Sequence, residues 1–290
     1  MIEVLLNILR VFLFVSFILF VYVMITLYRI LKPPENFPSK FLKKQKIKDP
    51  SKKRIVLVGD SITHGTVSHN YVKVLKRKLG TEKFEFINAG LNGDLTFNVL
   101  KRIDDIIRCE PDIVTVLIGT NDALGSYTVE SRESYIKLKG AEANDEFWTL
   151  ERFKENITQI ITQLKNEANA TIGALSIPII GEYLMDPVIE HSKAYSKVIK
   201  EVSTDLGVHY MPLNELMIEY LKVNPSTPKY KYSKNLGLMI KTIFAHYFGR
   251  SWQNIAKKKG NQLLTEFVHL STKGASFVSD LIEKFIETLR

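Results

Sequence analysis

The sequence predicts an α/β domain with a parallel five-stranded sheet covered by helices on both faces, preceded by one N-terminal transmembrane helix. Three observations carry this expectation. Val11–Tyr28 is a run of 18 residues without a charge. From Arg54 onward, short β-branched runs alternate with stretches of helical apolar spacing, the pattern of parallel strands joined by helical crossovers. Polar turns follow the first three runs, and in such sheets ligands sit beyond the carboxyl ends of the strands.

As a helix, the apolar run would span about 27 Å, close to the hydrocarbon thickness of a bilayer. Asn7 and Arg10 flank it on one side, Arg29 and Lys32 on the other. A cleaved signal peptide would have a shorter apolar region and a small-residue cleavage site. "YRILKPPENF" supplies no such site, so residues 1–31 are expected to be an uncleaved anchor. Pro33, Pro34 and Pro38 prevent the helix from continuing, and residues 32–53 read as a basic, solvated tether facing lipid headgroups.

The domain proper is expected over residues 54–290. Strands are expected in "RIVLVG" (54–59), "FEFINAG" (84–90), "PDIVTVLIGTND" (111–122), "ATIGALSIP" (170–178) and "GVHYMPL" (207–213). Helices are expected over 70–79, 96–108, 149–165, 194–206 and from Ser271 to the end. In the last, Ser271 is a cap, and Phe277, Val278, Leu281, Ile282, Phe285, Ile286 and Leu289 form a stripe. Residues 222–262 are an expected insertion, a polar loop and then a basic, partly amphipathic stretch. It reads as a lid, a membrane-touching element or a surface helix pair.

The formal net charge is +9, but ten Lys/Arg stand against two acids, Glu35 and Asp49, between Arg29 and Arg54. That leaves about +1 for the rest of the chain, so the excess reads as a local basic run beside an apolar span. It points to a membrane surface and against nucleic acid as a partner. The positive-inside rule puts the domain on the cytoplasmic side. Cys109 is the only cysteine, which excludes an internal disulfide and a cysteine-rich metal site. There is no G-x-S-x-G elbow, no phosphate loop, no G-x-G-x-x-G and no H-E-x-x-H.

Acyl chemistry at a serine needs a base, a group that orients the base, and donors for the developing oxyanion. Ser61 stands at the end of the first strand. The Gly93 backbone N–H can approach a ligand closely because no side chain intervenes. Asn121 offers an amide donor, and the Ser61 N–H is a third. Of the six histidines, His64 and His69 share the loop of Ser61, His209 lies in a strand, and His191 and His246 lie on helical stretches. His269 differs, because it precedes the last helix and has a carboxylate, Glu266, three residues before it. A tight turn folds such a carboxylate onto the imidazole and selects its tautomer.

"GDSIT" (59–63), "NAGLNGD" (88–94), "GTND" (119–122) and "EFVHLSTKGA" (266–275) resemble, in order, the four blocks of the SGNH, or GDSL, hydrolases. The likeness runs from Arg54 to the C-terminus, apart from residues 222–262. The resemblance implies a flavodoxin-like three-layer α/β/α domain and hydrolysis of carboxylic esters: lipids, thioesters or O-acetyl groups on sugars. It implies Ser61 as nucleophile, Ser61, Gly93 and Asn121 as oxyanion hole, and His269 as base, with Asp60 and Asp122 as supporting residues. It implies no metal and no organic cofactor. Such hydrolases often work outside the cytoplasm, against the charge rule for this chain.

One departure stands out. The family's last block is D-x-x-H, usually with glycine after the aspartate, whereas this chain has Glu266 and Phe267. Glutamate reaches about 1.5 Å further, and a misplacement of 1 Å can cost about 10² in rate. Three outcomes are open: Glu266 serves after a small backbone shift, Ser61 and His269 act as a dyad, or the site is impaired. The expected function is a membrane-anchored serine esterase. The alternatives are an O-acyltransferase using the same site or a catalytically impaired binding module.

Overall fold

The computed structural model describes residues 1–44, 48–232 and 236–289. The chain divides into two compact units, Met1–Lys32 and Pro33–Arg290. The first is helix α1 (Ile2–Leu31), 30 residues long and apolar enough to cross a membrane. It ends where Lys32 turns to extended backbone, ahead of Pro33, whose ring cannot enter a helix interior.

The second unit opens with α2 (Pro38–Lys43). Part of the stretch expected as a solvated tether is therefore folded onto the domain. Phe37 and Phe41 are buried, the Arg54 guanidinium lies 4.8 Å from the Phe41 ring centroid, and that of Arg102 lies 5.4 Å from Phe37. Aromatic faces attract these cations, which gives the two rings a place to bury among basic residues.

Five parallel strands form one sheet, β1 (Lys53–Gly59), β2 (Phe84–Gly90), β3 (Ile113–Leu117), β4 (Thr171–Leu175) and β5 (His209–Met211), in the order β2-β1-β3-β4-β5. The helices that follow are α3 (Ser61–His64), α4 (Tyr71–Leu79), α5 (Thr96–Leu100), α6 (Ile103–Ile107), α7 (Thr120–Tyr127), α8 (Val129–Lys139), α9 (Leu150–Glu167), α10 (Pro187–Asp205), α11 (Leu213–Val223), α12 (Leu236–Tyr247), α13 (Trp252–Lys258) and α14 (Thr272–Glu287).

Side chains alternate across a strand, so β1 feeds two cores. Val56 and Val58 face one core with Ile106, Phe153, Ile160 and Val202; Ile55 and Leu57 face the other with Leu75, Met217, Val278 and Phe285. Helices α6, α9 and α10 thus cover one face and α4, α11 and α14 the other, giving the expected three layers. Burying such an aliphatic side chain is worth about 1.5–3 kcal/mol. The caps are local: Thr149 accepts from Arg152 N at 3.2 Å at the start of α9, and Ser271 accepts from Gly274 N at 3.2 Å at the start of α14.

Several expected elements are shorter than their patterns; β4 and β5 occupy only parts of 170–178 and 207–213. The third strand stops at Leu117 because Gly119 takes φ +120°, and "GTND" opens α7 instead. The helix expected over 96–108 is two pieces, broken where Arg102 leaves helical geometry. Its guanidinium turns inward to Asp94 (3.0 Å) and to the Gly59 carbonyl (3.2 Å).

Candidate active site

Strand register brings the polar turns together. Gly59 pairs with both Gly90 and Leu117, so the turns after β1, β2 and β3 leave the sheet side by side. Successive connections run to opposite sides of β1, which makes its carboxyl end the switch point where an open α/β sheet has its crevice. Ser61 begins α3 there, and Asp60 caps the helix by accepting from Ile62 N at 2.9 Å. The helix lies against β2 because Gly90 lacks a side chain; a Cβ there would stand 2.3 Å from His64 N.

Ser61 Oγ lies 3.1 Å from His269 Nε2. On the other side of the ring, His269 Nδ1 meets Glu266 Oε1, which also accepts from His269 N at 3.3 Å. The longer glutamate fits because its loop is closed: Leu264 and Leu270 form an antiparallel bridge, and Thr265 N donates to the His269 carbonyl at 2.7 Å. Glu266 then folds back across the loop tip, with Oε2 taking the Thr265 hydroxyl. Phe267, in the family's glycine position, is buried in the core with its ring against Tyr232 at 5.6 Å.

Burial opposes charge on both Glu266 and His269, but their mutual attraction and hydrogen bond outweigh it. Glu266 is held below the usual glutamate range and His269 above the usual histidine value. The pair therefore favours Nδ1–H toward Glu266, leaving Nε2 to accept the Ser61 proton.

Gly93 holds φ +77° in the turn after β2, a conformation glycine adopts without penalty. Asn121 is the second residue of α7; its amide donates to the Asp94 carbonyl at 2.8 Å and its Oδ1 accepts from Tyr135 OH at 2.7 Å. Asp94 is buried between Arg102 and Lys139, at 3.0 and 2.7 Å. Asp122 accepts from Thr96 N and Oγ1. Burial pushes the Asp60 carboxyl up to about 7 and that of Asp122 up to about 6. These two acids hold turns in place rather than facing the Ser61 hydroxyl.

Sequence reasoning missed three residues around this site. Tyr135 and Lys139 come from α8, whose sequence has no apolar stripe to announce it. Glu182 lies in the loop after β4, buried, and accepts from Gln262 N and Leu263 N, both at 2.8 Å, and from Leu264 N and Ser226 Oγ. It ties down the segment that leads into the Glu266–His269 turn. No local motif marks it, since its partners lie 44 to 82 residues away.

Three other histidines serve elsewhere. His209 stacks on Phe285 at 4.7 Å and His246 on Trp252 at 3.9 Å. His191 Nε2 lies 2.9 Å from Ser126 Oγ, a second Ser–His pair, but the same nitrogen lies 2.9 Å from the Ala123 carbonyl. A carbonyl only accepts, so that nitrogen carries the proton and cannot take one from Ser126. Among the described residues, no three or more His, Cys, Asp or Glu are grouped to hold a metal ion.

The chain belongs to the GDSL-like lipase/acylhydrolase family, whose sequence model matches residues 57–234; it is a serine ester hydrolase of that family. It is 26% identical over 247 residues to an isoamyl acetate-hydrolyzing esterase of Saccharomyces cerevisiae, covering 81% of this chain and 86% of the yeast protein. Among solved structures, its fold is similar to that of an acetylxylan esterase from Geobacillus stearothermophilus, a catalytic mutant (TM-score 0.56, 16% identity, 82% of this chain and 95% of that one). It is also similar to that of a lipase/acylhydrolase from Enterococcus faecalis (TM-score 0.52, 22% identity, 81% and 96%). The His269 loop lies beyond residues 57–234, the span that the family model matches.

Proposed function

We propose that this protein is a membrane-anchored serine esterase acting on short-chain carboxylic esters through an acyl-Ser61 intermediate. The observation that carries the reading is the Ser61 Oγ–His269 Nε2 contact of 3.1 Å with Glu266 at the opposite ring nitrogen. His269 takes the Ser61 proton as Oγ attacks the ester carbonyl. Glu266 stabilises the imidazolium that forms. The backbone N–H groups of Ser61 and Gly93 and the second N–H of the Asn121 amide receive the oxyanion, with Tyr135 fixing which end of the amide points inward. His269 then returns the proton to the leaving alcohol, and water repeats the sequence to release the acid.

Ser61 and His269 are only 6% and 5% exposed. Such burial favours a small acyl group. The yeast relative is named for hydrolysing an acetate ester, which agrees with acetyl as the leading acyl group. Residues 1–31 serve as anchor and 54–290 as catalytic domain with an insertion at 222–262, while the joining stretch 32–53 packs in part on the domain through Phe37 and Phe41. The test is hydrolysis of p-nitrophenyl esters from acetate to decanoate by the full chain and by Ser61→Ala. Activity concentrated on acetate and lost in the variant is expected; equal rates in both would overturn the proposal. Retention of the protein in bilayers through an alkaline carbonate wash tests the anchor.

A further inference from the structure

The near-zero charge outside residues 29–54 conceals a second basic block. Residues 222–262 contain nine Lys/Arg and no Asp or Glu, so the remainder of the domain is acidic. Within this block, α12 and the residue that follows it expose part of their apolar surface. At 100° per residue, Ile240, Phe244 and Phe248 fall on one stripe, opposite the buried Thr242. Ile240 is 45% exposed and Phe248 60%, and the Phe244 and Phe248 rings lie 6.4 Å apart. Lys241 and Arg250 flank the stripe and are exposed, as are Lys257 and Lys258 on α13. Isolated exposed apolar residues are ordinary, but an exposed apolar stripe at helical spacing, with cations and no acid around it, is the composition of an interfacial helix.

We infer that α12 and its flanking basic residues form a docking surface for an anionic lipid bilayer. The occupant follows from the chemistry: the stripe needs an apolar medium, and the cations around it need a negative surface beside that medium. An acidic protein or a nucleic acid would satisfy the charges and leave the stripe in water. The inference rests on the anchor reading in one respect, that α1 keeps the domain beside a membrane. Helix α12 also touches the catalytic loops, since Tyr247 OH donates to the Thr66 carbonyl at 3.1 Å, just past the Ser61 helix. Bilayer contact there would hold the mouth of the site against lipid-borne esters.

The experiment uses the full chain carrying Phe248→Trp, in vesicles of phosphatidylcholine with or without phosphatidylglycerol, each with brominated acyl chains as quencher. Trp148 and Trp252 are buried, so the unsubstituted chain supplies the baseline. The expected result is quenching of the new tryptophan beyond that baseline when phosphatidylglycerol is present, with vesicle affinity of the α12 surface falling roughly fivefold for each charge removed in Lys241→Gln and Arg250→Gln. Baseline quenching in both compositions, with the protein still retained through carbonate, would overturn the inference while leaving the anchor intact. If the protein is not retained through carbonate, the anchor reading fails. Salt-sensitive co-flotation with phosphatidylglycerol vesicles then supports the docking surface, and its absence overturns it.

Discussion

Replacing Glu266 by glutamine isolates the charge of the proposed third catalytic group. The amide oxygen can accept from His269 Nδ1 as the carboxylate does. Its NH2 can donate to Thr265 Oγ1, whose own proton then goes to the His269 carbonyl, 3.1 Å away. Tautomer and loop are therefore kept and only the negative charge is lost. At an effective dielectric of about 20 and a separation of about 4 Å, that charge is worth about 4 kcal/mol to the imidazolium of the transition state. The amide retains a neutral hydrogen bond of about 1 kcal/mol. The net loss of about 3 kcal/mol corresponds to a roughly 150-fold fall in kcat. Glu266→Asp keeps the charge but withdraws it by about 1.5 Å, for a loss of about 10². The assay is p-nitrophenyl acetate hydrolysis across pH. In the parent enzyme, the acid limb of kcat/KM follows His269, which must be neutral to act as base and is held above 6.5. Removing the carboxylate moves that limb to lower pH. Unchanged kcat/KM and an unmoved limb in Glu266→Gln would refute the role given to Glu266. A gain in Glu266→Asp would show that the glutamate impairs the site.

Other consequences are as direct. Asn121→Ala should lower kcat by about 10²–10³ with little change in KM, and Tyr135→Phe should cause a smaller loss of the same kind, read from steady-state kinetics. Glu182→Gln can keep at most part of the acceptor set offered to residues 262–264. It should weaken the hold on the His269 loop, seen as faster amide exchange over 261–270 and a lower kcat; unchanged exchange would reject a bracing role. Asp60 binds its proton more tightly in the folded chain, at about 7 against an ordinary 3.8. Native protein therefore carries more protons than unfolded protein between those values, and this carboxyl withdraws stability as pH rises through the window. Asp60→Asn should raise Tm more at pH 8 than at pH 5, a comparison calorimetry can make.

The parts of this architecture that repeat or alternate were legible in the sequence. Strands buried on both faces read as β-branched runs, α9 and α14 declared their apolar stripes, and Ser61, Gly93, Asn121 and His269 lay at strand ends or before a capped helix. What escaped were single residues whose partners are distant in sequence. Glu182 meets the 262–264 backbone and Tyr135 meets Asn121 through tertiary contact alone. Arg102 breaks a helical pattern because Asp94 draws its guanidinium inward, which no local propensity records. Residues 32–53 read as a solvated tether because nothing local shows that Phe37 and Phe41 meet Arg102 and Arg54 and are buried. The basic character of 222–262 is plain in the sequence; what the summed charge hides is that the rest of the domain is acidic.

The most direct test of the central claim is covalent trapping of the nucleophile. The full chain is treated with a fluorophosphonate and the modified peptide is located by mass spectrometry. A single phosphonylated residue, Ser61, is expected, with labelling strongly slowed in His269→Ala. Modification at Ser126, or an unlabelled Ser61 in a folded protein, would contradict it.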